Sequence, residues 1–338
     1  MDLRDALRAT LAGRTLDRDQ TREVLAAALS EGTDPVLLGG VLVALAARGE
    51  TPEQIAGGAE ALRAAAVPLE HDHPDAIDTC GTGGDGLHMF NVSTASAIVC
   101  AAAGATVIKH GNRSVSSSCG SADLLEAAGI SLDLGPAAAR TVLDEVGITF
   151  LFAPRYLPAM RFAAPVRGAL GVRTLFNFLG PLCNPGGVRR QLLGVSDPTR
   201  VGDFAAALEG LGCERGYVVH GAGGADELTL AGENQVAAVG AAPSLALDAS
   251  AAGLAPAPVE ALAGGDARAN LAQLGRLLDG EAGPVRDAVA LNAGAALVLA
   301  GVAADVAEGA ARAGEALDSG AARARLAAWV AASQEVGS

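Results

Sequence analysis

From Ala76 onward the chain alternates short apolar runs with helix-like segments, and this alternation constrains the fold more than any other feature. The runs are Ala76-Ile77-Asp78, Ala105 to Ile108, Thr149 to Phe152, Gln191 to Val195 and Tyr217 to His220. Between them lie helical patterns such as Thr94 to Ala103 and Ala137 to Val146. Strands alternating with helices imply βαβ units, a mostly parallel sheet and right-handed crossovers. The chain before Pro68 has a different texture. Apolar residues there recur at three and four, as in Val24-Leu25-Ala28-Leu29 and Ile55-Ala59-Leu62, and Thr51-Pro52-Glu53-Gln54 is a helix start with Thr51 as N-cap. Pro68 and the polar stretch Glu70 to Pro74 form the linker, and from about Pro256 the pattern is again mainly helical. The expected class is α/β: a small all-helical domain over 1–70 and a larger α/β domain with a mostly parallel central sheet over 74–338.

Half of the residues are hydrophobic but only 3% are aromatic, so the core must come from Ala, Leu and Val in closely packed helices. The 44 glycines show no three-residue period, which excludes a collagen-like chain. A net charge of −14 opposes nucleic-acid binding, which depends on Lys and Arg neutralising phosphates. Against that background any local basic cluster is informative. Cys80, Cys100, Cys119, Cys183 and Cys213 are odd in number and form no Cys-x-x-Cys pair, so neither a zinc ribbon nor a redox motif is indicated. They suit a reducing cytosol. The N-terminus lacks the basic start and apolar core of a signal peptide, and Val36 to Ala47 is too short to cross a bilayer. The expectation is a cytoplasmic protein without membrane or nucleic-acid partners.

In an open α/β sheet, ligands sit beyond the carboxyl ends of the strands, and unusual sequences follow several strands here. The first is Asp78-Thr79-Cys80-Gly81-Thr82-Gly83-Gly84-Asp85-Gly86. Its glycines let backbone N–H groups converge on an anion without Cβ obstruction, but by itself the cluster reads equally as a tight turn. It is neither a Walker A loop nor a Rossmann fingerprint. The second, Asn91-Val92-Ser93-Thr94, runs into a helix expected to start near Ala95; it suits a phosphate or a metal, or is an ordinary Ser/Thr cap. The third, Lys109-His110-Gly111-Asn112-Arg113 through the serines to Ser121, gathers basic groups and hydroxyls before a helix over Ala122 to Ala128. In so acidic a chain this favours an anion site over a flexible connector. Asp226-Glu227 follows a strand through Gly221-Ala222-Gly223-Gly224; an adjacent carboxylate pair is able to hold Mg²⁺, though in a chain with 38 acidic residues it is also ordinary surface.

Together these segments resemble the anthranilate phosphoribosyltransferase family, in the same order and over nearly the whole chain. The matching pieces also include Gly120-Ser121-Ala122-Asp123, Val172-Arg173-Thr174-Leu175-Phe176-Asn177, Leu179-Gly180-Pro181-Leu182 and Leu291-Asn292-Ala293. Each motif is weak alone; their combination is highly specific. The resemblance implies a fold of the nucleoside phosphorylase/phosphoribosyltransferase type, with a helical stretch near 170–185 returning to the small domain, and a homodimer formed through that domain. It implies transfer of the phosphoribosyl group of 5-phosphoribosyl 1-diphosphate (PRPP) to the amine of anthranilate, with release of diphosphate, in tryptophan biosynthesis.

By the same resemblance, PRPP is bound by Gly81, Gly84, Asp85, Asn91, Val92, Ser93, Thr94 and Ser121, together with the closing segment Lys109, His110, Gly111, Asn112, Arg113, Ser114, Val115, Ser116 and Ser117. Anthranilate meets Gly81, Asn112 and Arg167, the last pairing its carboxylate. Magnesium, two ions per active site, is held by Ser93, Asp226 and Glu227. An arylamine is neutral and nucleophilic at pH 7, so no residue is assigned as acid or base. Met89 stands where the family usually has Thr or Ser, implying one lost PRPP hydrogen bond, and Leu157 stands where it usually has His. Alternative functions are a pyrimidine nucleoside phosphorylase-like enzyme, a phosphoribosyltransferase for another aminobenzoate and a non-catalytic nucleic-acid-binding relative.

Overall fold

A computed structural model describes residues 1–114 and 118–337. Four helices open the chain: α1 (Leu3–Leu11), α2 (Arg18–Ala28), α3 (Pro35–Arg48) and α4 (Pro52–Ala65). Each starts at a side-chain cap, from Asp2, Asp17, Asp34 and Thr51, and Thr51 with Gln54 forms a capping box. These caps satisfy N–H groups that a helix start otherwise leaves unpaired.

The α/β part begins with β1 (Ile77–Gly81), α5 (Val92–Ala102) and β2 (Val107–Gly111). Next come α6 (Ser121–Ala127), α7 (Pro136–Val146), β3 (Ile148–Phe152) and the short α8 (Ala153–Tyr156). Helices α9 (Met160–Leu170) and α10 (Leu175–Leu179) precede β4 (Arg190–Gly194), α11 (Val201–Gly210), β5 (Arg215–His220) and β6 (Gln235–Gly240). The chain closes with α12 (Ala267–Leu278), α13 (Pro284–Ala300), α14 (Val306–Asp318) and α15 (Ala321–Val336). The strands form one six-stranded sheet in the order β3-β2-β1-β4-β5-β6, parallel except for β6. The five expected strands are all present. β6 was not legible because it is an edge strand with three of its six residues exposed and only one buried, so it carries no buried apolar run.

Adjacent strand residues point to opposite faces, so the sheet carries two cores. Ile77, Leu192, Tyr217 and Val219 join the core beneath α5, α13, α14 and α15. Cys80, Leu193, Val218 and Val239 join the other, shared with α11, the opening helices and the segment from Leu157 to Cys183. Small residues allow the first core to pack tightly. Residues 288–299 of α13 are buried throughout, and a Cβ at Gly294 would lie 2.7 Å from the Ala310 nitrogen of α14. Among the described residues, no helix is long and apolar enough to cross a membrane.

Candidate active site

The strand order reverses direction between β1 and β4, the switch point where open α/β sheets place ligands. The glycine-rich loop leaves β1 there, with Thr82 N–H donating to the Gly194 carbonyl at the end of β4 (2.9 Å). Asp226 packs directly into this crevice. A Cβ on Gly81 would overlap its carboxylate and one on Gly194 its backbone, which is why both strands end in glycine. Gly83, Gly84 and Gly86 all adopt positive φ, so the loop takes a course that other residues resist. Among the described residues, nothing engages the N–H groups of Gly84, Asp85 or Gly86.

Below the loop Lys109 is buried, and the half-buried Asp226 and Glu227 lie beside it. Asp226 accepts from Gly83 N–H (2.6 Å) and Glu227 accepts from Ser93 N–H (3.1 Å). Burial and the neighbouring charges of Glu227 and Asp85 push the Asp226 carboxyl far above its ordinary range; burial also raises Glu227, against the pull of Lys109. Lys109 is only 2% exposed, with Nζ donating to the Thr79 carbonyl and lying 3.5 Å from Ser93 Oγ. Two partly buried carboxylates short of positive charge, beside a serine hydroxyl, make a hard oxygen donor set that fits Mg²⁺.

Helix α5 begins at Val92, three residues before its expected start. The reason is that Phe90 N–H already donates to Leu262 and Met89 bridges Ala263, turning the chain before Asn91. Ser93 and Thr94 consequently sit in the first turn, the Thr94 hydroxyl buried without a partner among the described residues. Asn91 caps nothing with its side chain; it donates to Cys119 O (3.0 Å) and accepts from Asn270 (2.8 Å).

The basic strand end differs from its sequence reading. His110 is buried and its pKa falls to about 4, so it is neutral at pH 7. Arg113 forms ion pairs with Asp123 (3.1 Å) and Glu126 (2.8 Å). Burial and ion pairing are invisible in composition, and they leave Lys109 as the cation at the sheet edge. Ser121 Oγ donates to the Asn112 carbonyl (3.2 Å), and Asp123 accepts from Ser114 N–H (3.0 Å), fixing both ends of this loop. Val115, Ser116 and Ser117 lie outside the described residues.

On α9, Arg167 is half-buried, and desolvation lowers its pKa. Its guanidinium lies 5.6 Å from the Phe176 ring and, among the described residues, makes no ion pair or hydrogen bond. A desolvated guanidinium without an anion is able to receive a carboxylate. Leu157 is buried in the apolar core that Ala163 and Val166 of α9 share.

Residues 4–66 match the helical bundle domain of the glycosyl transferase family, and residues 73–323 match its a/b domain. The anthranilate phosphoribosyltransferase of Roseiflexus castenholzii is 47% identical over 330 residues, 96% of this chain and 97% of that one. This chain belongs to the anthranilate phosphoribosyltransferase family. Among solved structures, the anthranilate phosphoribosyltransferase of Thermus thermophilus superposes with a TM-score of 0.93 at 48% identity, covering 98% of this chain and 99% of that one. That of Saccharomyces cerevisiae, in complex with PRPP and Mg, gives 0.90 at 25% identity, covering 98% of both.

In this member of the anthranilate phosphoribosyltransferase family, several residues that shape the site belong to no phosphate or metal motif. Asn292 on α13 accepts from Leu228 N–H (3.0 Å) and donates to Leu228 O (2.8 Å), clamping the chain just after Glu227. Asn234 holds the same loop through Ala222 and Thr229. Asn292 stood within a family motif, but only its contacts give it this task. Asn234 carried no signal.

Proposed function

We propose that the chain transfers the phosphoribosyl group of PRPP to the amine of anthranilate, yielding N-(5-phosphoribosyl)anthranilate, diphosphate and a proton, in tryptophan biosynthesis. The observation that carries this reading is the convergence, at the β1–β4 switch point, of loop N–H groups without partners among the described residues with the buried Lys109 and the desolvated, half-exposed Asp226 and Glu227. In this reading the loop residues Gly81, Gly84 and Asp85 bind PRPP with Asn91, Val92, Ser93, Thr94, Lys109 and Ser121, joined by His110, Gly111, Asn112, Arg113 and Ser114. Gly81 and Asn112 border anthranilate, whose carboxylate pairs with Arg167.

Ser93, Asp226 and Glu227 would hold Mg²⁺, one ion beside each carboxylate. The carboxylates bond different loops, Asp226 the glycine-rich loop and Glu227 the start of α5, which supports two positions. Among the described residues, no three His, Cys, Asp or Glu side chains gather closely enough to form a metal site alone. Substrate oxygens and water would complete the donor set, as Mg²⁺ prefers. When bound, the metal supplies charge stabilisation to the departing diphosphate.

The chain's own residues do the remaining work. The loop amides and Lys109 favour the charge that grows as the C1–O bond breaks, and they are fixed before reaction. Arg167 orients the arylamine so that its nitrogen lone pair meets C1. Exclusion of water favours transfer over hydrolysis of PRPP. No side chain has to remove a proton from the neutral arylamine before attack.

We further propose a division into a helical domain, 1–70, and a catalytic domain, 74–338. A cytoplasmic homodimer forms through the helical domain. Supporting the dimer, Leu7, Leu11, Val36, Val43, Pro165 and Leu170 line an apolar groove of about 810 Å³, with Val36 80% and Leu11 73% exposed. Val36→Asp should convert the dimer to monomer in sedimentation experiments. An unchanged oligomeric state would remove this face from the interface.

Mass spectrometry of a reaction with PRPP, anthranilate and Mg²⁺ tests the activity. The expected products are phosphoribosylanthranilate and diphosphate. Phosphorolysis of thymidine or uridine without PRPP would replace this reading.

A further inference from the structure

Arg173 lies between α9 and α10, in the segment packed on the helical bundle, yet its guanidinium reaches the glycine-rich loop. Nη2 is 3.4 Å from the Gly83 carbonyl; Nη1 is 3.5 Å from the Gly84 carbonyl and 3.1 Å from Ser196 Oγ. Ser196 in turn meets Thr82, the loop's first residue after β1, through both its hydroxyl (3.3 Å) and its N–H (3.2 Å). The fit is close, since a Cβ on Gly84 would lie 2.5 Å from Nη1. The guanidinium is itself braced. Its Cζ lies 5.6 Å from the Phe178 ring, and that ring lies 5.1 Å from Arg200, which is tied to Glu50 and Asp203.

In a planar trans peptide, each C=O and the N–H that follows it point in opposite directions. Drawing the Gly83 and Gly84 carbonyls toward Arg173 therefore turns the N–H groups of Gly84 and Asp85 to the opposite face. These are two of the three loop N–H groups without partners among the described residues. Glycine peptides at φ +65° and +78° can otherwise flip at little steric cost. A flip would turn N–H dipoles onto a cation, so the guanidinium holds one polarity.

We propose that Arg173 is a positioning residue for the diphosphate of PRPP: without touching the substrate, it fixes the direction of the two peptide groups that bind it. This rests on reading the loop as the diphosphate cradle. Because Arg173 belongs to the returning segment, it also ties the loop's polarity to the seating of the helical part on the sheet.

The test measures both KM values, kcat and amide hydrogen exchange in Arg173→Gln and Arg173→Lys. Losing a charge-assisted contact to two carbonyls should raise the PRPP KM about tenfold or more in the Gln variant. The anthranilate KM should stay unchanged, and the Gly84 and Asp85 amides should exchange faster. Lys keeps the charge but not the planar fork, so it should restore part of the PRPP affinity. An unchanged PRPP KM in an active enzyme overturns the proposal while leaving the assigned reaction intact. Equal rises in both KM values with a lowered melting temperature also overturn it, because they signal general damage. If the unaltered protein does not turn over PRPP, the assigned reaction fails, and unchanged loop exchange would then refute the orienting role separately.

Discussion

At the sheet edge, the buried Lys109 and the half-buried Asp226 and Glu227 lie together, held by backbone groups of β1, the glycine-rich loop and the first turn of α5. On α9, Arg167 is half-buried with no opposite charge among the described residues. The first arrangement is crowded and mutually constrained, with carboxylates whose proton affinity is raised by burial. The second is a single charge awaiting one ligand. Under the proposed assignment, the contrast separates two devices, a braced network for PRPP and metal and a lone guanidinium for the acceptor. Damage to each should look different.

The largest effect is expected at the network. Asp226→Asn with Glu227→Gln should lower Mg²⁺-dependent turnover by about 10³-fold or more, since both metal carboxylates are lost. The same change should raise the melting temperature of the metal-free protein by relieving buried repulsion. Full activity in the double variant would break the comparison at its stronger side.

A pH effect follows from the same edge. Burial raises Asp78 from 3.8 to about 6, so the folded chain holds this proton more tightly than the unfolded chain. With respect to this group, stability is greatest below the unfolded value and falls as pH rises through about 6. Asp78→Asn keeps an acceptor for Asn184 (2.8 Å in the native chain) and should remove that fall. The difference in unfolding free energy between about pH 5 and pH 7 should shrink by about 1.4 kcal/mol, measured by urea titration. An unaltered pH profile would show that Asp78 remains ionised in the fold.

Arg167→Ala should raise the anthranilate KM by the worth of one charged hydrogen-bonded pair, about 1.5–3 kcal/mol or roughly 10- to 150-fold. The PRPP KM should not move. Parallel losses in both would mean that α9 and the sheet edge act as one unit, not two.

Much of this arrangement was legible in the sequence. Buried strands wrote themselves as apolar runs, and phosphate-type loops after β1 and β2 carried glycine, hydroxyl and basic residues that have few other reasons to cluster. Charge state was not legible. His110 and Arg113 looked like parts of one basic patch, but burial neutralises the first and two carboxylates engage the second. The supports were also hidden. Asn270 reaches Asn91 and Asn292 reaches Leu228 across long stretches of chain, and such contacts leave no local spacing to read. Arg173 stood in a family motif, but its task came from the carbonyls it meets.

The central claim is Mg²⁺-dependent transfer from PRPP to anthranilate at the β1–β4 switch point. It is tested most directly by following anthranilate fluorescence while Mg²⁺ is titrated at saturating PRPP. The account predicts loss of fluorescence that saturates with metal and requires PRPP. Fluorescence that stays constant at every Mg²⁺ concentration, or that decays equally without metal, would contradict it.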